Sequence, residues 1–513
     1  PKDLAMTPTL AGAPGQSIVT PAIDWHALAP AIVIVGTILA VLAADLVLAR
    51  RDSWRTSTIA ALGLLGALIP VATLARAGDD RVLFGGAFVV DDYALALQAF
   101  FILATYVTVL LSVDEIGEGD YYKGEFYLLL LTSTLGMVMM TSARDLITLF
   151  VALEAISIPT FVLAAFRKHD RKSNEAGVKY YVIGVLSSAI MLYGMSLIFG
   201  ITGTTLLSGI SERIGEVSGQ PIVVVGIFLA LVGFAFKVSA VPFHWWAPDT
   251  YEGAPTPVTA FLSVASKAGG FVALISIVYF GFLGEDGSAA HAWWPWIWVL
   301  AAASMTLGNL AALRQTNVVR MLAYSSIAQG GFMLVPFAAA GIAAADGRTE
   351  VAASAMGAVV IYLLVYGVMN LGAFAVIIGV ARRTGSAEIS SFGGLFLTTP
   401  VLAVAMTGFL AALAGIPPLG GWFAKFVMFR SIVDAGTGWG IALAVIAALN
   451  SVVAFFYYFR VVTEMWFRPV AGEDERPIRM PQPLVAAIAI TSVLVLVVGV
   501  FPQIFGRVGD AAF

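Results

Sequence analysis

The chain has no cysteine in its 513 residues. Disulfides, iron–sulfur ligation and thiol chemistry by this chain are therefore excluded. Histidine is scarce too. His26, His169, His244 and His291 stand far apart and lack metal-ligand spacing, so no metal site is expected among them. Only 12% of the residues are charged, against about 25% in a typical soluble protein. No cluster of lysine and arginine with interleaved aromatics lies outside short loops, and the net charge is −4, so nucleic acid is not an expected partner. A Walker-type phosphate loop and a strand–GxGxxG–helix unit are both missing, which argues against a nucleotide site.

What fills the sequence instead is apolar. Hydrophobic residues make up 59% of it and the mean hydropathy is +0.92. A membrane-spanning helix needs roughly 20 such residues. Fourteen stretches qualify, near 27–49, 57–76, 93–113, 125–141, 145–166, 174–200, 221–240, 257–281, 294–313, 320–341, 355–381, 396–433, 438–466 and 483–506. The fold class expected is therefore an all-α polytopic membrane protein in contact with lipid. Residues 1–26 read as a polar N-terminal tail.

Prolines punctuate two of these stretches. Pro242 lies beside Val241 in the seventh, and Pro417-Pro418 lie inside Gly415–Gly421 in the twelfth, which is too long for one plain span. A proline removes a backbone donor and frees a carbonyl, tolerated in a membrane only where protein or a polar cavity satisfies it. The breaks sit at corresponding places in two five-span blocks, 125–281 and 294–466. An odd number of spans inverts the second block, a common transporter plan. The remaining segments are 27–124, with the first three helices, and 467–513, with a loop and the last helix.

Loop charge sets the orientation. Sixteen lysines and arginines fall in one set of loops, among them Arg50, Arg51, Lys168, Arg171, Arg382 and Arg383; seven fall in the other. The richer side is expected in the cytoplasm, which puts both termini outside a bacterial plasma membrane.

Five basic residues remain within apolar runs: Lys237, Lys267, Lys425, Arg430 and Arg460. The two arginines lie toward helix ends and are expected to snorkel. The lysines are deeper, and a lysine at the centre of a membrane helix costs about 2.5–3.5 kcal/mol on insertion scales. Glu154 lies mid-span in LITLFVALEAISIPTFVL, and Lys237 is the partner expected for it. Lysine suits a proton relay because its protonation responds readily to burial; a structural ion pair is the bland alternative. His244 is expected either to bridge Lys237 to Lys267 or to hydrogen-bond freed carbonyls at the break. Asp249 and Glu252 read as a loop contact or a proton inlet. Tyr324, with Ser325 and Ser326, is expected to hold water.

Three of these stretches also carry a resemblance. FKVSAVPFHWWAPDTYEGAPTPVTAFLSVASK, NLAALRQTNVVRMLAYSSIAQGGFMLV and LAGIPPLGGWFAKF closely resemble the antiporter-like membrane subunits of respiratory complex I, the proton-pumping NADH:quinone oxidoreductase. The similarity runs from about 125 to 466. It implies two inverted five-helix repeats, each with a broken helix, and proton translocation through Glu154, Lys237, Lys267 and Lys425. It also implies that flavin mononucleotide, iron–sulfur clusters and quinone belong to partner subunits, with neighbouring antiporter-like and small membrane subunits as contacts. Among sister branches, one typically has glutamate where Lys425 stands. Another continues into a long lateral helix, for which a chain ending at Phe513 leaves no room. The branch called subunit N, subunit 2 in mitochondria, fits best. A subunit of a multi-subunit cation/proton antiporter is the rival reading, and a non-transporting scaffold is a third.

Overall fold

A computed structural model describes residues 23–47, 54–119, 123–284, 286–470 and 476–513. Most of the expected N-terminal tail lies outside the described residues. The chain is a helical membrane bundle. Helices α1 (Trp25–Val47), α2 (Trp54–Ala77), α3 (Asp92–Glu118), α4 (Lys123–Ser142), α5 (Leu146–Ala164) and α6 (Arg171–Thr202) come first. A short α7 (Leu207–Val217) precedes α8 (Pro221–Lys237), α9 (Trp246–Gly253) and α10 (Thr256–Gly281). Then follow α11 (Trp294–Ala312), α12 (Val318–Ala345), α13 (Thr349–Thr384), α14 (Pro400–Ala414), α15 (Gly420–Asp434), α16 (Gly438–Phe467), α17 (Gln482–Val500) and α18 (Pro502–Ala511).

Among the described residues, twelve of these helices are long and apolar enough to cross a membrane without interruption. The other two expected crossings are the seventh, on α8, which ends at the first break before α9, and the twelfth, on the interrupted pair α14–α15. Each apolar stretch read from the sequence thus falls on one helix or one broken pair. The last stretch, 483–506, is shorter as a helix than expected. It stops at Val500, and α18 starts afresh at Pro502, a residue without the N–H that continuation requires.

Local sequence sets many of the starts. Asp91, Asp145, Asp170, Asn317 and Thr437 each accept hydrogen bonds from first-turn amides of α3, α5, α6, α12 and α16. Burial sorts the helices by position. The apolar windows of α10 and α12 are wholly buried inside the chain and that of α13 is 94% buried, whereas those of α1, α2 and α16 are only 28% buried. The first group therefore forms the centre, and the second presents apolar side chains outward. A small antiparallel hairpin, β1 (Arg81–Leu83) with β2 (Phe88–Val90), was not anticipated. Its strands are too short to leave a period-two pattern.

Candidate functional site

The first break begins at Lys237, the last residue of α8. Ser239 adopts a left-handed backbone, φ 59°, and the chain does not return to helix until Trp246. Polar side chains take up the loosened backbone. The Trp246 indole donates to the Phe236 carbonyl at 3.1 Å, and the Val241 amide donates to Ser304 Oγ at 2.8 Å. Pro242 itself lies on the exposed side of the break.

Lys237 is 2% exposed. Its ammonium donates to Ser157 Oγ at 2.9 Å and to the Tyr180 hydroxyl at 3.4 Å. The expected direct pair with Glu154 is not formed. Glu154 lies one turn before Ser157 on α5, toward the half-buried flank, and accepts from Ser188 Oγ at 2.6 Å. The inward face of that turn belongs to Ser157, so the hydroxyl, not the carboxylate, meets the lysine. Lys237's stem packs on α10 where only glycine fits: a Cβ at Gly270 would lie 2.8 Å from Lys237 Cγ.

Gly270 is one turn beyond Lys267, so the two lysines share a helix contact. Lys267 is 2% exposed and follows directly on a π-helical segment, Leu262–Ser266. It donates to the carbonyl and the hydroxyl of Ser326 on α12, at 2.7 and 2.9 Å. His244 does not bridge the lysines. It is buried with Nδ1 unpartnered, and no hydrogen bond joins it to either lysine among the described residues. Tyr324 is half-buried and outside this chain of contacts; its neighbours Ser325 and Ser326 face inward instead.

At the second break the freed carbonyls themselves build the site. In a continuous helix the amides of residues 417 and 418 would bond to the carbonyls of Leu413 and Ala414. Both positions are proline. The Leu413 carbonyl accepts from Gln329 Nε2 at 3.1 Å, and the Ala414 carbonyl accepts from Lys425 Nζ at 2.9 Å. Lys425 is 7% exposed and stands over the Phe332 ring at 4.9 Å. Close approach of the two half-helices requires Gly421, where a Cβ would lie 1.8 Å from the Ala412 carbonyl.

A polar network joins Lys267's neighbourhood to Lys425's. Ser325 Oγ and the Tyr458 hydroxyl are 2.5 Å apart, Gln329 donates to the same hydroxyl at 3.2 Å, and Tyr362 donates to Gln329 Oε1 at 2.7 Å. Sequence reading missed Ser157, Tyr180, Gln329, Tyr362 and Tyr458. A signal existed for Gln329: it lies four residues after Ser325, on the same face of an otherwise apolar helix. Among the described residues, no carboxylate oxygen approaches any of the three lysines within 4.0 Å. None of their side chains forms a group of three or more metal-ligating residues either. Arg460 does not simply snorkel: it donates to the Leu313 and Gln315 carbonyls at the end of α11.

Asp249 and Glu252 lie on α9, not in a loop, and tie it to α6 and α12. Arg320 donates to both at 2.9 Å, Lys179 to Asp249 at 2.7 Å and Lys172 to Glu252 at 3.0 Å. Burial pushes both carboxyls up. The hydrogen bonds from Lys179 and Arg320 to Asp249, and from Lys172 and Arg320 to Glu252, more than offset it and hold both below the usual range.

These features define a class: a multi-pass helical membrane protein with two interrupted helices and buried lysines at and between the breaks. Residues 143–451 match the transmembrane family described as NADH:quinone oxidoreductase/Mrp antiporter. NADH-quinone oxidoreductase subunit N of Heliobacterium modesticaldum is 39% identical over 475 residues, covering 92% of this chain and 96% of that one. The chain belongs to this family, in the branch of subunit N. Among solved structures, a chain of respiratory complex I from Thermus thermophilus, with bound aureothin, superposes with a TM-score of 0.74 at 30% identity, covering 93% of this chain and 98% of that one. A chain of the Mrp complex from Dietzia sp. DQ12-45-1b shares the fold, with a TM-score of 0.81 at 22% identity over 96% of this chain and 97% of that one.

Proposed function

We propose that this chain is a non-redox, proton-translocating membrane subunit of an NADH:quinone oxidoreductase in the bacterial plasma membrane. Flavin, iron–sulfur and quinone chemistry belong to its partner subunits. The observation that carries the reading is the way the three buried ammonium groups are held. Hydroxyl and carbonyl oxygens hold each of them, not a carboxylate. A carboxylate would fix the charge permanently, whereas neutral oxygens accept from an ammonium and also serve a neutral amine. Protons would pass between Lys237, Lys267 and Lys425, the last step through Ser325, Tyr458 and Gln329. Glu154, on the half-buried flank one turn from Ser157, would act on Lys237 through its field when a neighbouring subunit changes its charge. The two blocks 125–281 and 294–466 would be inverted repeats, with both termini outside.

Lys267 stands between the other two lysines and tests this reading. Lys267→Ala in the whole complex is expected to leave assembly and NADH oxidation by an artificial acceptor intact. Proton uptake into sealed vesicles should be abolished. Normal uptake would refute the relay. Copurification of the tagged chain without flavin- and iron–sulfur-bearing partners would refute the assignment to the oxidoreductase.

A further inference from the structure

A cavity of about 390 Å³ opens among the loops on the side that the orientation above assigns to the cytoplasm. Its charged lining consists of Asp114, Glu115, Glu118, Arg167, Glu252 and Arg382. Several are already paired: Arg167 with Glu115 at 2.8 Å, and Arg382 with Asp114 and Glu118. Tyr251 also lines this cavity, although it is only 1% exposed. Its hydroxyl lies near Ser326 and is a buried oxygen without a hydrogen-bond partner among the described residues. Ser326 is the residue that holds Lys267. On its other side the Tyr251 ring meets Trp246 edge-on at 6.3 Å, and Trp246 stacks at 4.3 Å on Tyr180, which contacts Lys237. A buried hydroxyl left unpaired in the protein is normally satisfied by ordered water. Tyr251 thus stands between the cavity and the lysines.

Resting on the relay proposed above, we infer that Tyr251 is the proton inlet of this chain, the group that passes protons from cavity water to Lys267. The transfer balances without a redox partner. The phenolic oxygen accepts a proton from hydronium in the cavity, leaving water, as its own O–H proton moves, through one water or the Ser326 hydroxyl, to the neutral Lys267 amine. Tyrosine ends each transfer neutral, and Lys267 ends it as an ammonium. The six-membered ion cluster on α6, α9 and α12 (Lys172, Glu175, Lys179, Asp249, Glu252 and Arg320) fixes the helix that carries Tyr251.

The test is Tyr251→Phe in the whole membrane complex, which removes one oxygen and keeps the ring. Positioned proton-transfer groups contribute about 10²–10⁴-fold, so uptake at about pH 8 should fall at least about tenfold and recover substantially at about pH 6, where protons are abundant. Wild-type rates at both pH values would overturn the inference. An equal loss at both would also overturn it, since that marks a structural role. If the variant fails to assemble, Ala381→Trp decides, because Ala381 lines the cavity and leaves Tyr251 intact. The same pH-dependent loss supports the inlet, and unchanged uptake overturns it. Lys267→Ala separates the two levels. If it stops uptake while Tyr251→Phe and Ala381→Trp do not, only the inlet falls; if it does not stop uptake, the relay falls.

Discussion

The carbonyl of Ala414, left without its helical donor because residue 418 is proline, accepts a hydrogen bond from the Lys425 ammonium at 2.9 Å. The break and the buried cation are thus one feature. The freed carbonyl sits at the C-terminal end of α14, where the helix dipole also favours a cation.

Restoring the amide at this position should therefore compete with the lysine. In Pro418→Ala the new N–H is free to close the helical bond to Ala414. A hydrogen bond to a charged group is worth about 1.5–3 kcal/mol, so its loss shifts Lys425 between orientations by about tenfold or more. Proton uptake should fall while the complex still assembles, as measured in sealed vesicles against acceptor reductase activity. Uptake at the normal rate would show that the freed carbonyl is incidental.

Gln329 is the node between Lys267's neighbourhood and Lys425's. Gln329→Leu leaves the Tyr362 hydroxyl without its acceptor and the Leu413 carbonyl without its donor. Each buried unpaired group costs about 1–3 kcal/mol, so thermal stability should drop. Adding Tyr362→Phe should restore part of that stability and none of the proton uptake. Recovery of both together would make the network structural only.

Much of this was legible in the sequence, for physical reasons. Helix breaks are written in proline, and buried cations in lone lysines among apolar neighbours, so Pro242, Pro417, Pro418, Lys237, Lys267 and Lys425 all announce themselves. Partner choice was not legible. Glu154 and Lys237 read as a pair because both lie about mid-span in the same half of the chain. A single turn of α5 decides otherwise, by aiming Ser157 inward and Glu154 toward Ser188. Tyr324 was conspicuous beside two serines, but helix rotation puts Ser325, Ser326 and Gln329 on the inner face. His244 reads as a bridge because it lies between the lysines in sequence, but among the described residues it hydrogen-bonds to neither.

The α9 clamp makes a pH prediction. Asp249 and Glu252 are held below the usual carboxylate range, so their contribution is fully present above that range and is lost as pH falls through the lowered values. Hydrogen-exchange protection of 246–253 should stay constant near neutral pH and weaken only below about pH 4. In Arg320→Ala the loss should begin at higher pH. Weakening on alkalinisation, or no effect of that substitution, would remove the clamp from the account.

Orientation is open to chemical labelling, because the native chain has no cysteine. Asn174, near the start of α6, and Asp80, between α2 and the hairpin, are both exposed. A cysteine at 174 should react with an impermeant reagent only from the cytoplasm, and one at 80 only from outside. The reverse pattern would invert the inlet.

The relay itself is tested most directly at Lys237, whose ammonium bonds only to the Ser157 and Tyr180 hydroxyls among the described residues. Arginine keeps the charge but does not deprotonate in proteins. The measurement is proton uptake by sealed vesicles carrying the Lys237→Arg complex, with assembly verified by NADH oxidation with an artificial acceptor and Lys237→Ala run beside it. A lysine that must release its proton in each cycle predicts that both variants assemble and that both lose most uptake. Near-normal uptake in the arginine variant would contradict the relay and reduce Lys237 to a structural cation.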